Sequence, residues 1–123
     1  MDLNQLTKDI HKTARSKGWW DEEIIETTNC PKIIPRSIGD QFANFHAEIS
    51  EAWEEYRNGH GMNEIYYKSD NPSKPEGVPI ELADCIIRIL DTCGAYGIDI
   101  EEALRIKMEY NKNREYRHGG KLA

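Results

Sequence analysis

Cysteine is scarce in this chain. Cys30, Cys85 and Cys93 form an odd set with no CxxC spacing. Cys85 and Cys93 share one predicted helix, where eight residues span about 12 Å, too far for a disulfide. The thiols are therefore read as structural ones in a reducing compartment. Long apolar runs are also missing, and none approaches the roughly 18 to 20 residues of a membrane span. The opening stretch MDLNQLTKDIHKTARSKG has no apolar signal core. The expectation is a soluble, cytoplasmic protein with no membrane partner. Basic charge is in deficit, with 16 Lys and Arg against 22 Asp and Glu, a net charge of -6. That balance argues against a nucleic-acid polymer as partner. It fits a cation-binding protein, and equally an ordinary acidic cytosolic one. Internal repeats, low-complexity runs and signs of a second domain are absent, so the 123 residues are expected to form one domain. Its core is small, and association of subunits would help it.

What is present is mostly helical periodicity. Leu3, Leu6, Ile10 and Ala14 mark a short amphipathic helix over 2–17, stopped by Gly18. Trp19 and Trp20 follow. Adjacent tryptophans at a helix end usually close a core, and the alternative is that one stacks on a substrate base. Asp21 to Glu26 is read as one more helical turn. TTNCPKIIPRS, with its two prolines, is read as a loop whose Ile33 and Ile34 pack back on the core. Ser37 and Asp40 resemble a capping box opening a helix over about 38–57. Ile38, Phe42, Phe45, Ile49, Ala52 and Tyr56 form its heptad seam for helix packing. Trp53 and Tyr56 read as packing or interface residues. Asn58-Gly59 stops that helix. A polar insert at about 60–77 is read as mobile or as a hairpin arm. Asp99 and Glu102 start the last helix, over about 100–115, and RHGGKLA forms a basic, Gly-rich tail at 117–123. His11 and His60 read as surface residues, His46 points away from Glu48, and His118 lies in the tail.

The chain is organised around PIELADCIIRILDTCG, Pro79 to Gly94, with Pro79 suited to a first helical position and Gly94 to Gly97 ending the helix. At about 100° per residue, Glu81, Asp84, Arg88 and Asp91 form one narrow stripe and apolar residues cover the rest. A helix apolar nearly all round is expected to be buried, so its charges need a partner other than bulk water. Arg88 would pair with Asp91 or Glu81. A matching acidic pair, Glu48 and Glu51, lies on the preceding helix. A lone ExxE or ExxD is commonly a solvated face. Here the second pair has apolar surroundings, and Lys107, Asn111 and Arg114 continue the inner face of the last helix at i, i+4, i+7. If the two acidic helices pack antiparallel, four carboxylates converge as hard oxygen ligands for Mg²⁺, with Mn²⁺ as its substitute. The basic residues would then suit phosphate.

The stretches HAEISEAWEEYRNG, KPEGVPIELADCIIRILD and KMEYNKNREYRHGGK together resemble the MazG-like all-α nucleoside triphosphate pyrophosphohydrolases. The signature of that family is ExxE followed, after a spacer, by ExxD. Glu48-Ile-Ser-Glu51 and Glu81-Leu-Ala-Asp84 fill it, with 29 residues between Glu51 and Glu81. The resemblance covers roughly 37–121, with a weaker match in KGWWDEE at 17–23. One departure is Arg88, where some relatives place an aromatic that would help hold the nucleoside.

The resemblance implies hydrolysis of an NTP or dNTP to the monophosphate and pyrophosphate by water attack at the α-phosphorus. Glu48, Glu51, Glu81 and Asp84 would be the catalytic residues and Mg²⁺ ligands, one of the first two doubling as base. Lys107 and Asn111 would steady the triphosphate, with Arg114 and Lys121 as weaker matches, and Trp19 or Trp20 would be the base stacker. Two alternatives stand beside this reading. One is action on a pyrophosphate-linked relative such as phosphoribosyl-ATP, and the other is a non-catalytic helical interaction module with a structural acidic network. The expected fold is an all-α antiparallel helix bundle, one MazG-like domain over 1–123 with its core at 37–117, completed as a homodimer or homotetramer.

Overall fold

The computed structural model describes residues 2–21, 23–25, 32–34 and 37–114, the strands at 23–25 and 32–34 by their backbone alone. Cys30, His118, Lys121 and the tail at 117–123 lie outside the described residues, as do the side chains of Ile33 and Ile34. The chain runs α1 (Leu3–Ser16), β1 (Glu23–Ile25), β2 (Lys32–Ile34), α2 (Ile38–Arg57), β3 (Tyr66–Lys68), β4 (Asn71–Glu76), α3 (Val78–Tyr96) and α4 (Ile100–Lys112). The fold is mainly helical, as expected, with two small antiparallel sheets added, β1–β2 and β3–β4.

Local chemistry explains where the helices begin and end. Asp2, Ser37 and Asp99 each accept a backbone N–H of the first turn, at Gln5, Asp40 and Glu102, which satisfies donors a helix start leaves orphaned. Gly97 closes α3 in the left-handed conformation at φ 65°. The helix passes through Gly94 and stops at Gly97, within the expected end at Gly94 to Gly97, and Pro79 follows Val78 as its second residue rather than its first. Gly77 sits at φ 127°, where a Cβ would run into the Glu64 carbonyl.

Two stretches differ from their expected form. Residues 23–25 are a strand, not a helical turn, and 32–34 within the expected loop are its antiparallel partner, with Ile24 opposite Ile33. β-Branched pairs such as Ile24-Ile25 and Ile33-Ile34 favour strand geometry. The insert at 60–77 does contain a hairpin. Tyr66 pairs with Glu76 and Lys68 with Asn71.

α3 is the central element, packed against α2 and α1. Its neighbours pair in opposite order along the chain. Thr92 donates to Gln41 Oε1 at 2.9 Å, the Cys85 thiol reaches the Phe45 carbonyl, and Arg88 meets Glu48. Thus α2 runs antiparallel to α3. On the other side Gly94 abuts Thr7 and His11 while His11 bonds Asp91, so α1 is antiparallel too.

The buried apolar residues among those described are Ala52, Val78, Cys85, Leu90 and Cys93. Each large one contributes on the order of 2 kcal/mol. Cys85 and Cys93 are free thiols. Burial on α2 follows Gln41, Glu48 and Ala52 rather than the heptad seam, and Ile38, Phe42, Ile49 and Tyr56 are each more than half exposed. α3 also departs from expectation. Leu90 to Cys93 are buried, but Leu82, Ile86, Ile87, Ile89 and Tyr96 are exposed. Three helices give α3 neighbours on two sides only, so its remaining face stays open. Among the described residues no helix is long and apolar enough to cross a membrane.

Candidate metal centre and adjoining cavity

The antiparallel pairing of α2 with α3 brings the two acidic motifs together, because residues three apart share a helix face. Glu48, Glu51 and Glu81 place one carboxylate oxygen each within 4.8 Å of one another. Burial pushes Glu81 up to about 7, with its hydrogen bond to Glu51 and the charges of Glu51, Asp84 and Glu48 adding to the rise. Asp84 is raised as well, first by burial and then by Glu48, while Arg88 and Lys74 pull it back. The expected convergence is thus observed for three acids, with Asp84 close enough to feel Glu48.

Glu48 is the most buried of the three and only half satisfied. Its side chain is only 8 % exposed, and Arg88 Nε donates to its Oε1 at 2.6 Å. Its other oxygen, Oε2, is buried with no hydrogen-bond partner. Such an atom is costly unless something satisfies it. A hard divalent cation shared with Glu51 and Glu81 would supply that partner, and the carboxylate oxygens present fit Mg²⁺ or Mn²⁺. Arg88 pairs here with Glu48 and not with Asp91 or Glu81. Sequence spacing along one helix does not reveal a partner on another.

Asp91 has its own partners. Trp20 Nε1 donates to both its oxygens at 2.9 Å, and His11 Nδ1 lies 2.7 Å from Oδ1. The Trp20 ring meets the edges of His11 and Tyr96. His11 is therefore largely enclosed rather than a surface residue. His60 is also engaged, stacked on Tyr66 at 4.1 Å and bonded to Glu64. The Tyr66 hydroxyl donates to Glu55 at 2.7 Å, which pushes that phenol up to about 12. This anchors the hairpin to the end of α2.

A cavity of about 450 Å³ adjoins the acids. Ile10, Thr13, Ala14 and Lys17 of α1 form one wall, and Glu48, Asp84, Ile87 and Arg88 form the other, with Trp19 at its edge. An apolar cleft with a few convergent polar groups is the common form of a small-molecule site. The two tryptophans have divided their roles. Trp20 closes the core, and Trp19, 60 % exposed, stands at the cavity with the Arg88 guanidinium 6.0 Å from its ring centre.

The expected basic clamp is not brought to the acids within one chain. α4 has no buried residue, and its packing is on α1, where Asn4 bonds Glu101 and Asp99. Lys107 and Arg114 lie over the Tyr110 ring. Among the described residues no hydrogen bond or ion pair joins Lys107, Asn111 or Arg114 to the carboxylates. Their shared face was legible, but the surface that face meets was not. No protein-family model, curated protein or solved structure matches the chain. The likeness described from the sequence therefore rests on its residues alone.

Proposed function

We propose that this protein is a Mg²⁺-dependent nucleotide pyrophosphohydrolase of the MazG-like kind, cleaving an NTP or dNTP to monophosphate and pyrophosphate in nucleotide-pool clearance. The observation that carries the reading is the buried, unpartnered Oε2 of Glu48, a carboxylate grouped with Glu51 and Glu81 beside a cavity of about 450 Å³. Glu48, Glu51 and Glu81 would hold the cation, and Asp84 completes the acidic wall. When bound, the cation neutralises phosphate charge and acidifies water at the site. A carboxylate of the Glu48–Glu51 pair then takes the proton of the attacking water. Trp19 offers the stacking face for the base, and the apolar wall of Ile10, Ala14 and Ile87 excludes water around it.

The active form in this reading is a homodimer or homotetramer. Nineteen large apolar side chains are exposed against five buried hydrophobic ones among the described residues, so a single copy leaves most of its apolar surface uncovered. A second copy of the chain covers the α2 seam and the open face of α3, and presents its own Lys107, Asn111 and Arg114 to the phosphates.

The test is incubation with each NTP and dNTP, with Mg²⁺ or with chelator, and separation of the products by ion exchange. Monophosphate with pyrophosphate, lost on chelation, supports the reading. Diphosphate with orthophosphate means attack at the wrong phosphorus. Folded protein that turns over no nucleotide leaves the acids as a structural network, a role the Arg88–Glu48 ion pair already fills in part. Mixing inactive Glu81→Gln with inactive Lys107→Ala protein tests the shared site. Activity regained on mixing places the two residues on different copies, and no regain removes the second copy's role.

A further inference from the structure

Arg88 stands where the acidic centre and the cavity meet. Its Nε–H is bonded to Glu48, its head lies near the Trp19 ring, and it lines the same cavity as Trp19, Asp84 and Glu48. Among the described residues it is the one cation in an ion pair with the three-glutamate group. It satisfies a single oxygen of Glu48 and leaves Oε2 buried and bare. The pairing is thus half complete. A divalent cation on Glu48 and the guanidinium compete for the same carboxylate charge. The Arg88 side chain is one-third exposed, so its head has room to move. The neighbouring aromatic ring offers a favourable second position for a guanidinium.

We propose that Arg88 is a displaceable counter-ion that holds Glu48 in the cation-free protein, yields it to a divalent cation, and turns over Trp19 to hold a phosphate group in the cavity. The inference rests on reading the three glutamates as a cation centre, and deepens it by naming the residue that links cation loading to anion binding. Released from Glu48, the planar head presents its N–H donors as a fork, which matches phosphate oxygens. Its place beside Asp84 and Glu48 repels an anion until a cation is bound. The order of binding, cation before phosphate, follows from that repulsion.

The consequence is a pair of opposite effects that a structural role does not produce. Removing the guanidinium leaves Glu48 a better cation ligand and takes from the cavity its forked anion donor, leaving Lys17 as the other cation in its lining. Calorimetric titration with Mn²⁺, and separately with magnesium pyrophosphate at saturating Mg²⁺, measures both in wild type, Arg88→Met and Arg88→Lys. Arg88→Met is expected to bind Mn²⁺ about fivefold tighter and pyrophosphate about tenfold or more weaker. Arg88→Lys, which keeps the charge without the fork, should bind Mn²⁺ as wild type does and pyrophosphate weakly. Mn²⁺ affinity that is unchanged or weaker in Arg88→Met overturns the proposal.

A measurement on the wild type alone guards against misfolded variants. The Arg88 Nε–H resonance should shift when Mg²⁺ saturates the protein and shift again on adding pyrophosphate. A resonance unmoved by Mg²⁺ refutes displacement. The outcomes also separate the two layers. If Glu51→Gln and Glu81→Gln abolish Mn²⁺ binding while Arg88→Met leaves it unaltered, the centre stands and the role of Arg88 falls. If folded wild type binds no Mn²⁺, the cation centre falls and this inference with it.

Discussion

Replacing Glu81 with Gln tests whether the three glutamates repel one another as their geometry requires. Gln keeps the size and hydrogen bonding of a protonated Glu and removes its charge. In the cation-free protein the Glu81 carboxyl is pushed from the ordinary 4.5 up to about 7, first by burial and then by Glu51. Between those values the folded chain holds a proton that the unfolded chain has lost, so stability falls as pH rises through that window. At about 1.4 kcal/mol for each tenfold change in proton affinity, the full gap sets an upper bound of roughly 3 kcal/mol. Glu81 is partly open to solvent and its proton is shared with Glu51, so about 1 kcal/mol is the expected remainder after screening. For a chain of this size that is about 4 °C in Tm.

Thermal unfolding by circular dichroism, in chelator at pH 5 and pH 8, reads the effect. At pH 5, just inside that window, folded Glu81 holds its proton but the unfolded carboxyl has begun to lose it, so about a quarter of the effect is present and Glu81→Gln should melt only about 1 °C higher than wild type. At pH 8 the variant should melt about 4 °C higher. Asp2, Glu64, Asp99 and Glu102 are all held below their ordinary values and so finish titrating at lower pH. Adding Mg²⁺ at pH 8 should reverse the order, since only the wild type has the full ligand set to gain from binding. Wild-type cation affinity should rise with pH through about 7 as Glu81 gives up its proton. A variant that melts lower than wild type at pH 8 in chelator, or shifts equally at both pH values, refutes the idea of a crowded, proton-sharing acidic group.

Three further perturbations address the packing. Gly94→Ala places a Cβ 2.7 Å from His11 Cβ and 3.3 Å from the Thr7 carbonyl, so α1 must move off α3. A loss of about 2 kcal/mol in urea unfolding is expected, and an unchanged midpoint would show that the helices slide apart freely. Trp20→Phe removes the indole N–H from buried Asp91, which should cost about 2 kcal/mol and leave a folded protein. A neutral result would mean that His11 alone satisfies that carboxylate. Ile49→Glu lies on the exposed seam of α2, so if the proposed assembly packs through that seam the variant should show by light scattering the mass of one chain without unfolding. Retention of the wild-type mass would move the subunit interface elsewhere.

Helix boundaries were legible because their signals are local. Ser37, Asp99 and Gly97 cap by chemistry that needs no tertiary partner. The β1–β2 pair was missed because the prolines and polar residues around it outweighed two Ile-Ile pairs, whose strand signal only becomes clear once they face each other. The same division runs through the site. The spacings Glu48–Glu51 and Glu81–Asp84 announced acids on shared helix faces, and those faces do meet. The partners of Asp91 were beyond reach, since His11 lies 80 positions away and Trp20 lies 71 away. The Lys107, Asn111 and Arg114 stripe shows the limit most clearly. Periodicity put these residues on one face, and only packing could show that this face stays open in a single copy.

The deepest departure from ordinary helix design is in α3. A surface helix turns its apolar stripe inward and its charges outward. The N-terminal half of α3 does the reverse. Glu81, Asp84 and Arg88 are partly buried on the inner side, while Leu82, Ile86 and Ile87 are exposed. Burying carboxylates opposes folding unless a counter-charge is supplied. Exposing isoleucines forgoes the burial that would offset that cost. Arg88 supplies one positive charge for a group of three glutamates and leaves Glu48 Oε2 unsatisfied. In the proposed reading the two deficits have separate remedies, a cation inside and a second copy of the chain outside. They need not be met together. If the assembly forms without Mg²⁺, the apolar face suffices to build it, and the acidic centre then sits ready within a formed shell. If Mg²⁺ is needed for assembly, the charge on the inner face of α3 controls the packing of its outer face. Light scattering of the wild type in chelator, repeated for Glu81→Gln, distinguishes these cases. Assembly by Glu81→Gln where the cation-free wild type stays a single chain would show that repulsion among the glutamates is what Mg²⁺ relieves.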